Sequence, residues 1–278
     1  MKVGFIGYGS MGSMLLKQLI LTEALKPGDI IVFNRTEAKL EALRVKYPDI
    51  VVASNVKEVT EKAKYIFLCT KALDTIQILD QIKGSLTPEH HLISISGAIK
   101  ASDIRQCTNT SVSKLIPAVT SEVLDGVSLI YHGDGTRKED AEIIENLLGN
   151  ISQVKRLPED EFALITEVTS CGPGLIAGIF REFLASATRH SDTYSRDELQ
   201  ELLIRTLYGT SKLFLEQGLS FDETITRVAV KGGITEEGIL VFEDQLPKVF
   251  DEMFDHMLEK RRVFDQKVEE VLTAKQTC

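Results

Sequence analysis

Short apolar runs alternate with amphipathic stretches through the first half of the chain. The runs are rich in valine and isoleucine and short enough for buried strands, at residues 2–6, 30–33, 65–69, 91–96, 113–119 and 127–131. Between them, apolar residues recur at helical spacing, at residues 10–24, 36–46 and 75–83. Alternation of strands and helices predicts an α/β domain with a mostly parallel sheet and helices on both faces.

From about residue 159 onward the pattern is helical. Ser195 with Glu198, and Ser220 with Glu223, have the spacing of capping boxes that begin helices. Gly218 suits the position just after a helix over residues 199–215. Residues 162–187 are also helical in pattern, but glycine and proline at 172–174 predict a kink. We therefore predict an α/β domain over residues 1–158 and an all-helical domain over residues 159–278.

The composition narrows the possible functions. A chain of 278 residues can form two domain cores. Its formal net charge of −9 argues against general nucleic-acid binding, which needs a basic surface. No run approaches the roughly 20 apolar residues that span a bilayer, and no basic-then-apolar leader precedes the first strand. We expect a cytoplasmic protein with no nucleic-acid or membrane partner.

The cysteines and histidines give no sign of a metal or redox site. The cysteines are scattered without paired spacing, which predicts reduced thiols. They are Cys69, Cys107, Cys171 and Cys278. His90 and His91 are adjacent, and because no third ligand is near them in sequence we expect a turn there and no metal. The remaining histidines are isolated and are expected to be surface or packing residues: His132, His190 and His256.

A glycine-rich turn follows the first predicted strand and precedes the first predicted helix. Its sequence is Gly7-Tyr8-Gly9-Ser10-Met11-Gly12. In this context Gly7 permits the tight turn, Gly9 lets the backbone approach a pyrophosphate, and Gly12 lets the helix pack on the sheet. The amides at the helix start face the phosphate charge. A turn that binds nothing is the alternative, but the strand, turn and helix together favour a Rossmann dinucleotide site.

The end of the second predicted strand indicates which dinucleotide binds. NAD enzymes usually have Asp or Glu there, to bind the ribose 2′-hydroxyl. This chain has Asn34-Arg35-Thr36, and Lys39 follows one turn later. A guanidinium matches a 2′-phosphate that an acid would repel, so the sequence favours NADP. The alternatives are a solvated charge at Arg35 and a simple helix cap at Thr36.

These motifs resemble those of pyrroline-5-carboxylate reductases. The similarity runs in order along nearly the whole chain and includes two motifs in the helical half. Its segments are Gly4-Phe5-Ile6-Gly7-Tyr8-Gly9-Ser10-Met11, Asn34-Arg35-Thr36, Ser54-Asn55 with Glu58, Thr70-Lys71-Ala72, Thr169-Ser170-Cys171-Gly172-Pro173-Gly174 and Val230-Lys231-Gly232-Gly233-Ile234-Thr235. The resemblance implies NADPH-dependent reduction of 1-pyrroline-5-carboxylate to proline. It also implies a helical domain that forms a homodimer or higher homo-oligomer, with helices of the partner at the active site.

The resemblance also implies roles for individual residues. The expected cofactor-binding residues are Gly7, Gly9, Ser10, Met11, Gly12, Asn34, Arg35, Thr36, Asn55, Thr70 and Lys71. The expected substrate-binding residues are Gly232, Gly233 and Thr235, with the Thr235 hydroxyl near the ring nitrogen as the catalytic group. Two glycines before a helix can present amides to a small carboxylate. Without the resemblance, a helix cap is the preferred explanation of Thr235.

Some positions depart from the family pattern. Ala118, within Ile116-Pro117-Ala118-Val119-Thr120, stands where the family usually has asparagine, and Glu236 and Glu237 follow Thr235. This combination resembles the late-competence (ComER-type) branch found in Gram-positive bacteria. It leaves a second interpretation open, a catalytically degenerate NADP-binding regulatory or competence-associated protein.

Two other enzyme classes share the opening motif. A β-hydroxyacid dehydrogenase needs a lysine on the first long helix of its second domain, and residues 164–181 contain none. A deazaflavin-dependent NADP reductase opens similarly, but it does not explain the Gly-Gly-Ile-Thr loop or the long helical half. Both are therefore less favoured than the reductase.

Overall fold

The computed structural model describes residues 1–276 and contains one eight-stranded sheet. The strands are β1 (Val3–Ile6), β2 (Ile30–Phe33), β3 (Val51–Val52), β4 (Tyr65–Leu68), β5 (His91–Ser94), β6 (Ser111–Ile116), β7 (Gly126–His132) and β8 (Ser152–Arg156). Their order is β3-β2-β1-β4-β5-β6-β7-β8. Only β6 and β7 pair antiparallel, so the predicted mostly parallel α/β domain is confirmed.

Helices follow most strands of the sheet and continue through the second half of the chain. They are α1 (Ser10–Leu21), α2 (Glu41–Lys46), α3 (Val56–Lys62), α4 (Ala72–Ile82), α5 (Ala101–Thr108), α6 (Lys138–Gly149), α7 (Phe162–Thr169), α8 (Gly172–Arg189), α9 (Arg196–Gln217), α10 (Phe221–Val228) and α11 (Ile234–Gln276).

Two apolar cores cover the two faces of the sheet because side chains alternate along each strand. Phe5 and Phe67, from neighbouring strands, stack at 4.9 Å between ring centroids in one core. Ile6, Ile66 and Leu68 belong to the other. Fully burying each such side chain contributes about 1.5–3 kcal/mol. The central strands β1 and β4 are thereby held rigidly where the glycine turn leaves the sheet.

Some elements differ from the predictions. The segment expected to be one helix over residues 36–46 forms a 3-10 helix at Glu37–Leu40 and then α2. The strands β3 and β8 were not predicted from the sequence. Strand β3 has only two residues, and β8 is a largely polar strand at the end of the sheet. Neither therefore shows the apolar pattern of a buried strand.

The helical half follows its local sequence signals closely. Helix α7 ends at Thr169 and α8 begins at Gly172, so the chain breaks where glycine and proline predicted a kink. Both predicted capping boxes form at the starts of α9 and α10. Gly218 follows α9 with a φ of 67°, the left-handed conformation that suits glycine.

The chain forms two compact units. One contains Met1–Pro173 and the end of α11 from Leu258 onward, and the other is Gly174–Met257. In the first unit, Val268 and Leu272 of α11 join the core beside the sheet. The predicted division after residue 158 follows the change from strands to helices and stays a prediction. The compact units divide the chain elsewhere because the last helix returns to the α/β domain.

One helical stretch is long and apolar enough to cross a membrane by length and composition. It lies at Glu159–Arg189, with a mean hydropathy of 1.4 in its most apolar window, 22% of which is buried. The sequence did not predict such a stretch, because Glu167 interrupts the apolar run. Glu167 is buried and accepts a hydrogen bond from Arg261 Nε at 2.8 Å, so this charged side chain has a partner within the chain.

Candidate functional site

The glycine turn between β1 and α1 has the geometry of a phosphate-binding loop. Gly7 has a φ of 104°, and a Cβ there would lie 2.5 Å from the carbonyl oxygen of Cys69. A Cβ at Gly12 would lie 2.5 Å from the Gly7 oxygen. Gly9 is different, because nothing lies within 4 Å of its Cβ position. Two glycines are thus required by packing, whereas Gly9 leaves open space for a ligand.

A cavity of about 460 Å³ opens beside this turn. Its lining includes the predicted site residues Gly7, Gly9, Asn34, Arg35, Thr36, Thr70 and Lys71. It also includes residues that were not in the predicted site, among them Lys39, Asp74, Gln77 and Gln81. The other predicted cofactor-binding residues, Ser10, Met11, Gly12 and Asn55, stand outside this lining. Most of the predicted site therefore converges at the carboxyl ends of β1, β2 and β4, where ligands bind in such sheets.

Asn34 connects the end of β2 to the glycine turn. Its Oδ1 accepts a hydrogen bond from the backbone N–H of Tyr8 at 2.9 Å, and its side-chain nitrogen donates to the Thr36 oxygen at 2.8 Å. Asn34 is therefore a positioning residue that fixes the loop carrying Arg35. Thr36 occupies the cap position of the following 3-10 helix but makes no side-chain cap bond there. A simple cap does not explain it.

Arg35 extends into solvent at the mouth of the cavity. Its side chain is 84% exposed, and its Nη1 lies 3.4 Å from Asp74 Oδ1. Lys39 and Lys71 line the same cavity. Three cations and one carboxylate give this part of the cavity a net positive charge. A dianionic phosphate group fits such a donor set.

Asn55 has a structural role that its sequence position did not reveal. Its Oδ1 accepts from the Glu58 N–H at 3.0 Å and caps α3. Glu58 in turn accepts from the Ser54 N–H at 2.8 Å and pairs with Lys62. The bond from Lys62, followed by those from Ser54, lowers the pKa of Glu58 to about 2. Together these bonds fix the turn that precedes Val56, a lining residue of the cavity.

The predicted substrate loop lies at the start of α11. Gly232 has a φ of 75°, and its N–H donates to Glu236 Oε2 at 2.6 Å. A Cβ at Gly233 would lie 2.8 Å from the Val230 oxygen. Helix α11 begins at Ile234, before Thr235, so Thr235 is not the cap of this helix. The loop presents an amide to a carboxylate, and that carboxylate is the chain's own Glu236.

The segment between α7 and α8 contacts the end of β6. Ser170 Oγ donates to the Pro117 oxygen at 2.7 Å. Ala118, where the family usually has asparagine, is fully buried. Burial, and then the hydrogen bond with Glu167, raise the pKa of the Cys171 thiol to about 11. Cys171 is therefore a thiol at neutral pH and a poor nucleophile.

The sequence analysis missed a buried polar chain under the sheet. His91 Nε2 lies 2.7 Å from Ser113 Oγ, which lies 2.6 Å from His132 Nδ1, and His132 Nε2 lies 3.0 Å from Glu145 Oε1. His90 lies in the turn that precedes β5, and His91 begins β5, at the start of the strand predicted over residues 91–96, where it is fully buried. His132 is a packing residue, whereas His190 and His256 are exposed.

Potential metal ligands are dispersed in the structure. Within residues 1–276, no three His, Cys, Asp or Glu side chains are grouped closely enough to hold a metal ion. Over the same residues, Cys69, Cys107 and Cys171 form no disulfide. Cys278 lies outside the described residues.

Comparisons with known families match the two halves of the chain separately. Residues 2–97 match the family model described as NADP oxidoreductase coenzyme F420-dependent. Residues 159–263 match the model described as pyrroline-5-carboxylate reductase dimerisation. The first match reflects the shared Rossmann opening, whereas the second is specific to the helical half.

Similar proteins cover nearly the whole chain. Pyrroline-5-carboxylate reductase 3 of Bacillus subtilis is 35% identical over 268 residues, covering 96% of this chain and 98% of the relative. ComE operon protein 4 of the same organism is 28% identical, covering 92% and 93%. The crystal structure of Plasmodium falciparum pyrroline carboxylate reductase with NADP bound superposes with a TM-score of 0.82, at 17% identity, covering 96% and 97%. The chain belongs to the pyrroline-5-carboxylate reductase family.

Proposed function

We propose that this protein reduces 1-pyrroline-5-carboxylate to proline with NADPH, as a step of proline biosynthesis. The observation that carries the proposal is the 35% identity to a pyrroline-5-carboxylate reductase across 96% of the chain. The cavity beside the glycine turn supports it independently, because its cations suit a phosphorylated dinucleotide.

The α/β unit binds and orients the cofactor. The amides at the start of α1 hold the pyrophosphate next to the open Gly9 position. Arg35 and Lys39 hold the 2′-phosphate. Thr70 Oγ1 is fixed by a 2.8 Å hydrogen bond to Thr75 Oγ1 and shapes the inner wall. NADPH, when bound, supplies the hydride that reaches the imine carbon.

The loop before α11 binds the substrate. The Gly232 amide receives the substrate carboxylate in place of Glu236, and the exposed Thr235 hydroxyl contacts the ring nitrogen. Gly233 shapes this part of the site, because its N–H donates to the Val230 oxygen at 2.8 Å and closes the turn. The reaction adds a hydride to carbon and leaves a proton on nitrogen. The Thr235 hydroxyl oxygen therefore accepts a hydrogen bond from the N–H of the protonated imine and holds the ring in the orientation that hydride addition requires.

Steady-state kinetics tests this proposal. Purified protein is expected to oxidise NADPH when pyrroline-5-carboxylate is added. Thr235→Ala removes the hydroxyl and is expected to lower kcat/KM about 10- to 100-fold. Thr235→Ser, the matched control, keeps the hydroxyl and is expected to stay close to wild type. Equal losses in both variants would exclude the hydroxyl role.

The same kinetics tests the cofactor assignment. Arg35→Ala removes a charge-assisted contact to the 2′-phosphate and is expected to weaken NADPH binding about tenfold or more while leaving NADH binding nearly unchanged. A parallel loss for both cofactors would show that Arg35 does not read the 2′-phosphate.

The protein acts as a homodimer or higher homo-oligomer in the cytoplasm, without a membrane, nucleic-acid or metal partner. Large apolar side chains of α8 are about half exposed in the single chain, among them Ile176, Ile179 and Phe183. The segment that contains them matches a dimerisation family, so pairing with a second copy explains their exposure. Light scattering of the purified protein tests this assignment, and a monomeric mass would contradict it.

An alternative function is that of an NADP-binding regulatory protein that has lost turnover. The similarity to ComE operon protein 4 and the presence of Ala118 favour it. Saturable NADPH binding without oxidation in the presence of pyrroline-5-carboxylate would support this alternative over the reductase.

A further inference from the structure

One acidic side chain reaches the cavity that we assign to the cofactor. Asp74 lines this cavity together with Arg35 and Lys39. It lies in the first turn of α4, which follows β4, whereas Arg35 follows β2. The sheet order places β1 between these two strands. The end of β2 has no carboxylate in its own sequence, but in the folded chain α4 places one beside Arg35.

Asp74 contacts the cation that the 2′-phosphate needs. Its Oδ1 lies 3.4 Å from Arg35 Nη1, and the side chains are 37% and 84% exposed, respectively. A carboxylate and a phosphate compete for the same donors of one guanidinium. A ribose 2′-hydroxyl carries no charge and does not compete in this way. An acidic side chain at this position therefore weakens the binding of NADPH more than the binding of NADH.

We propose that Asp74 sets the dinucleotide preference by holding Arg35 in an ion pair that the 2′-phosphate of NADPH must displace. This inference rests on the proposed NADPH-dependent function. Asp74 reduces the preference for NADPH over NADH that Arg35 and Lys39 create. The affinities for the two cofactors therefore differ less than they would with these two cations alone. Asp74 is a specificity-determining residue that acts through Arg35.

Asp74 also has an ordinary structural role. An acid in the first turn stabilises a helix through the partial positive charge of the N-terminus. Removing that contribution would lower thermal stability but would not change the relative affinity for two cofactors. The ratio of the two dissociation constants therefore separates the roles.

The experiment is a fluorescence titration of the full-length protein with NADPH and with NADH, which requires no turnover. Asp74→Asn is expected to tighten NADPH binding about three- to fivefold and to leave NADH binding unchanged or weaker. Asp74→Glu keeps the charge and is expected to retain a ratio near that of wild type. In the Arg35→Ala background, Asp74→Asn is expected to change NADPH binding by less than about twofold, because its partner is gone.

Each outcome supports or overturns the inference. A ratio that is unchanged in Asp74→Asn overturns it, and so does a full effect that persists without Arg35. Neither result affects the reductase proposal, provided that NADPH still binds. Absence of saturable NADPH binding by the wild-type protein would overturn both proposals. Melting curves of each variant show whether it is folded.

Discussion

The buried histidine chain makes the stability of the fold sensitive to acid. Glu145 only accepts hydrogen bonds, so His132 Nε2 carries a proton and its Nδ1 accepts from the Ser113 hydroxyl. Ser113 Oγ then accepts from His91 Nε2. Both rings are neutral in this arrangement. His91 Nδ1, within the described residues, is a buried atom without a hydrogen-bond partner.

Protonation of His91 would place an N–H where the described residues offer no acceptor. Burial, and then the proximity of His132, lower the pKa of His91 to about 3, although Asp140 opposes the shift. The unfolded chain, with a pKa of about 6.5 for the same ring, takes up a proton first as the pH falls. Stability is therefore complete above this unfolded pKa and is lost between about pH 6.5 and pH 3.

The magnitude follows from the linkage between protons and folding. One such group changes the free energy of unfolding by about 1.4 kcal/mol per pH unit within this window. Between about pH 6.5 and pH 4.5 His91 therefore costs the fold about 2–3 kcal/mol. Burial also lowers the pKa of His132, which adds to the loss. Two to three kcal/mol is a large part of the stability of an ordinary domain.

The assay compares urea denaturation of the wild type and His91→Gln at several pH values and one protein concentration. The glutamine variant is expected to be less stable at neutral pH, because its side chain fits the site less well. Its stability should fall less steeply in acid, so that the difference from wild type narrows by about 2 kcal/mol toward about pH 4.5. His190→Gln, at an exposed position, is the control and should follow the wild-type slope. A wild-type slope in His91→Gln would refute the reasoning.

Other substitutions test the turn, the substrate loop and a buried ion pair. Gly9→Ala adds a methyl group to open space and should weaken NADPH binding without lowering the melting temperature. Gly7→Ala should lower the melting temperature, because Gly7 has a positive φ and a carbonyl oxygen lies 2.5 Å from its Cβ position. Equal melting temperatures of the two variants would contradict this prediction. Glu236→Gln leaves only a neutral acceptor, which holds the Gly232 amide less strongly than the carboxylate does, and should lower the KM for pyrroline-5-carboxylate about threefold or more; an unchanged KM would exclude competition. Glu167→Ala removes a buried carboxylate from the partly buried Arg261 and should cost about 2 kcal/mol in urea denaturation, unlike a substitution of the exposed Glu259; equal losses would argue against burial as the cause.

Local sequence signals predicted the parts of the structure that depend on short-range geometry. The glycine turn was predictable because Gly7 and Gly12 are required by contacts within one strand, turn and helix. The two capping boxes involve only residues three apart, and both form as expected. Local signals also predicted that the second half is helical, whereas its assignment to a dimerisation family came only from the family resemblance.

Contacts between distant segments were not predictable from the sequence. Ser113 and His132 are direct partners across the antiparallel strands β6 and β7, and His91 comes from the neighbouring strand β5. The direction of β7 has no sequence signature, so the three residues appeared isolated. The return of α11 to the α/β unit was hidden in the same way, because its charged sequence shows no sign of Val268 and Leu272 being buried.

Both proposed anion sites contain a carboxylate from the chain itself. Asp74 lies beside Arg35 in the cofactor cavity, and Glu236 accepts from the Gly232 amide in the substrate loop. In each case the proposed anionic ligand would have to displace an internal acid, so we predict that both acids weaken binding. The proposed ligands differ, a 2′-phosphate at Asp74 and a substrate carboxylate at Glu236. Asp74→Asn and Glu236→Gln should each change kcat/KM measured with NADPH. When the two substitutions are combined, these changes, expressed as free energies, should therefore add. A combined effect much smaller than the sum would mean that both acids restrain one shared step.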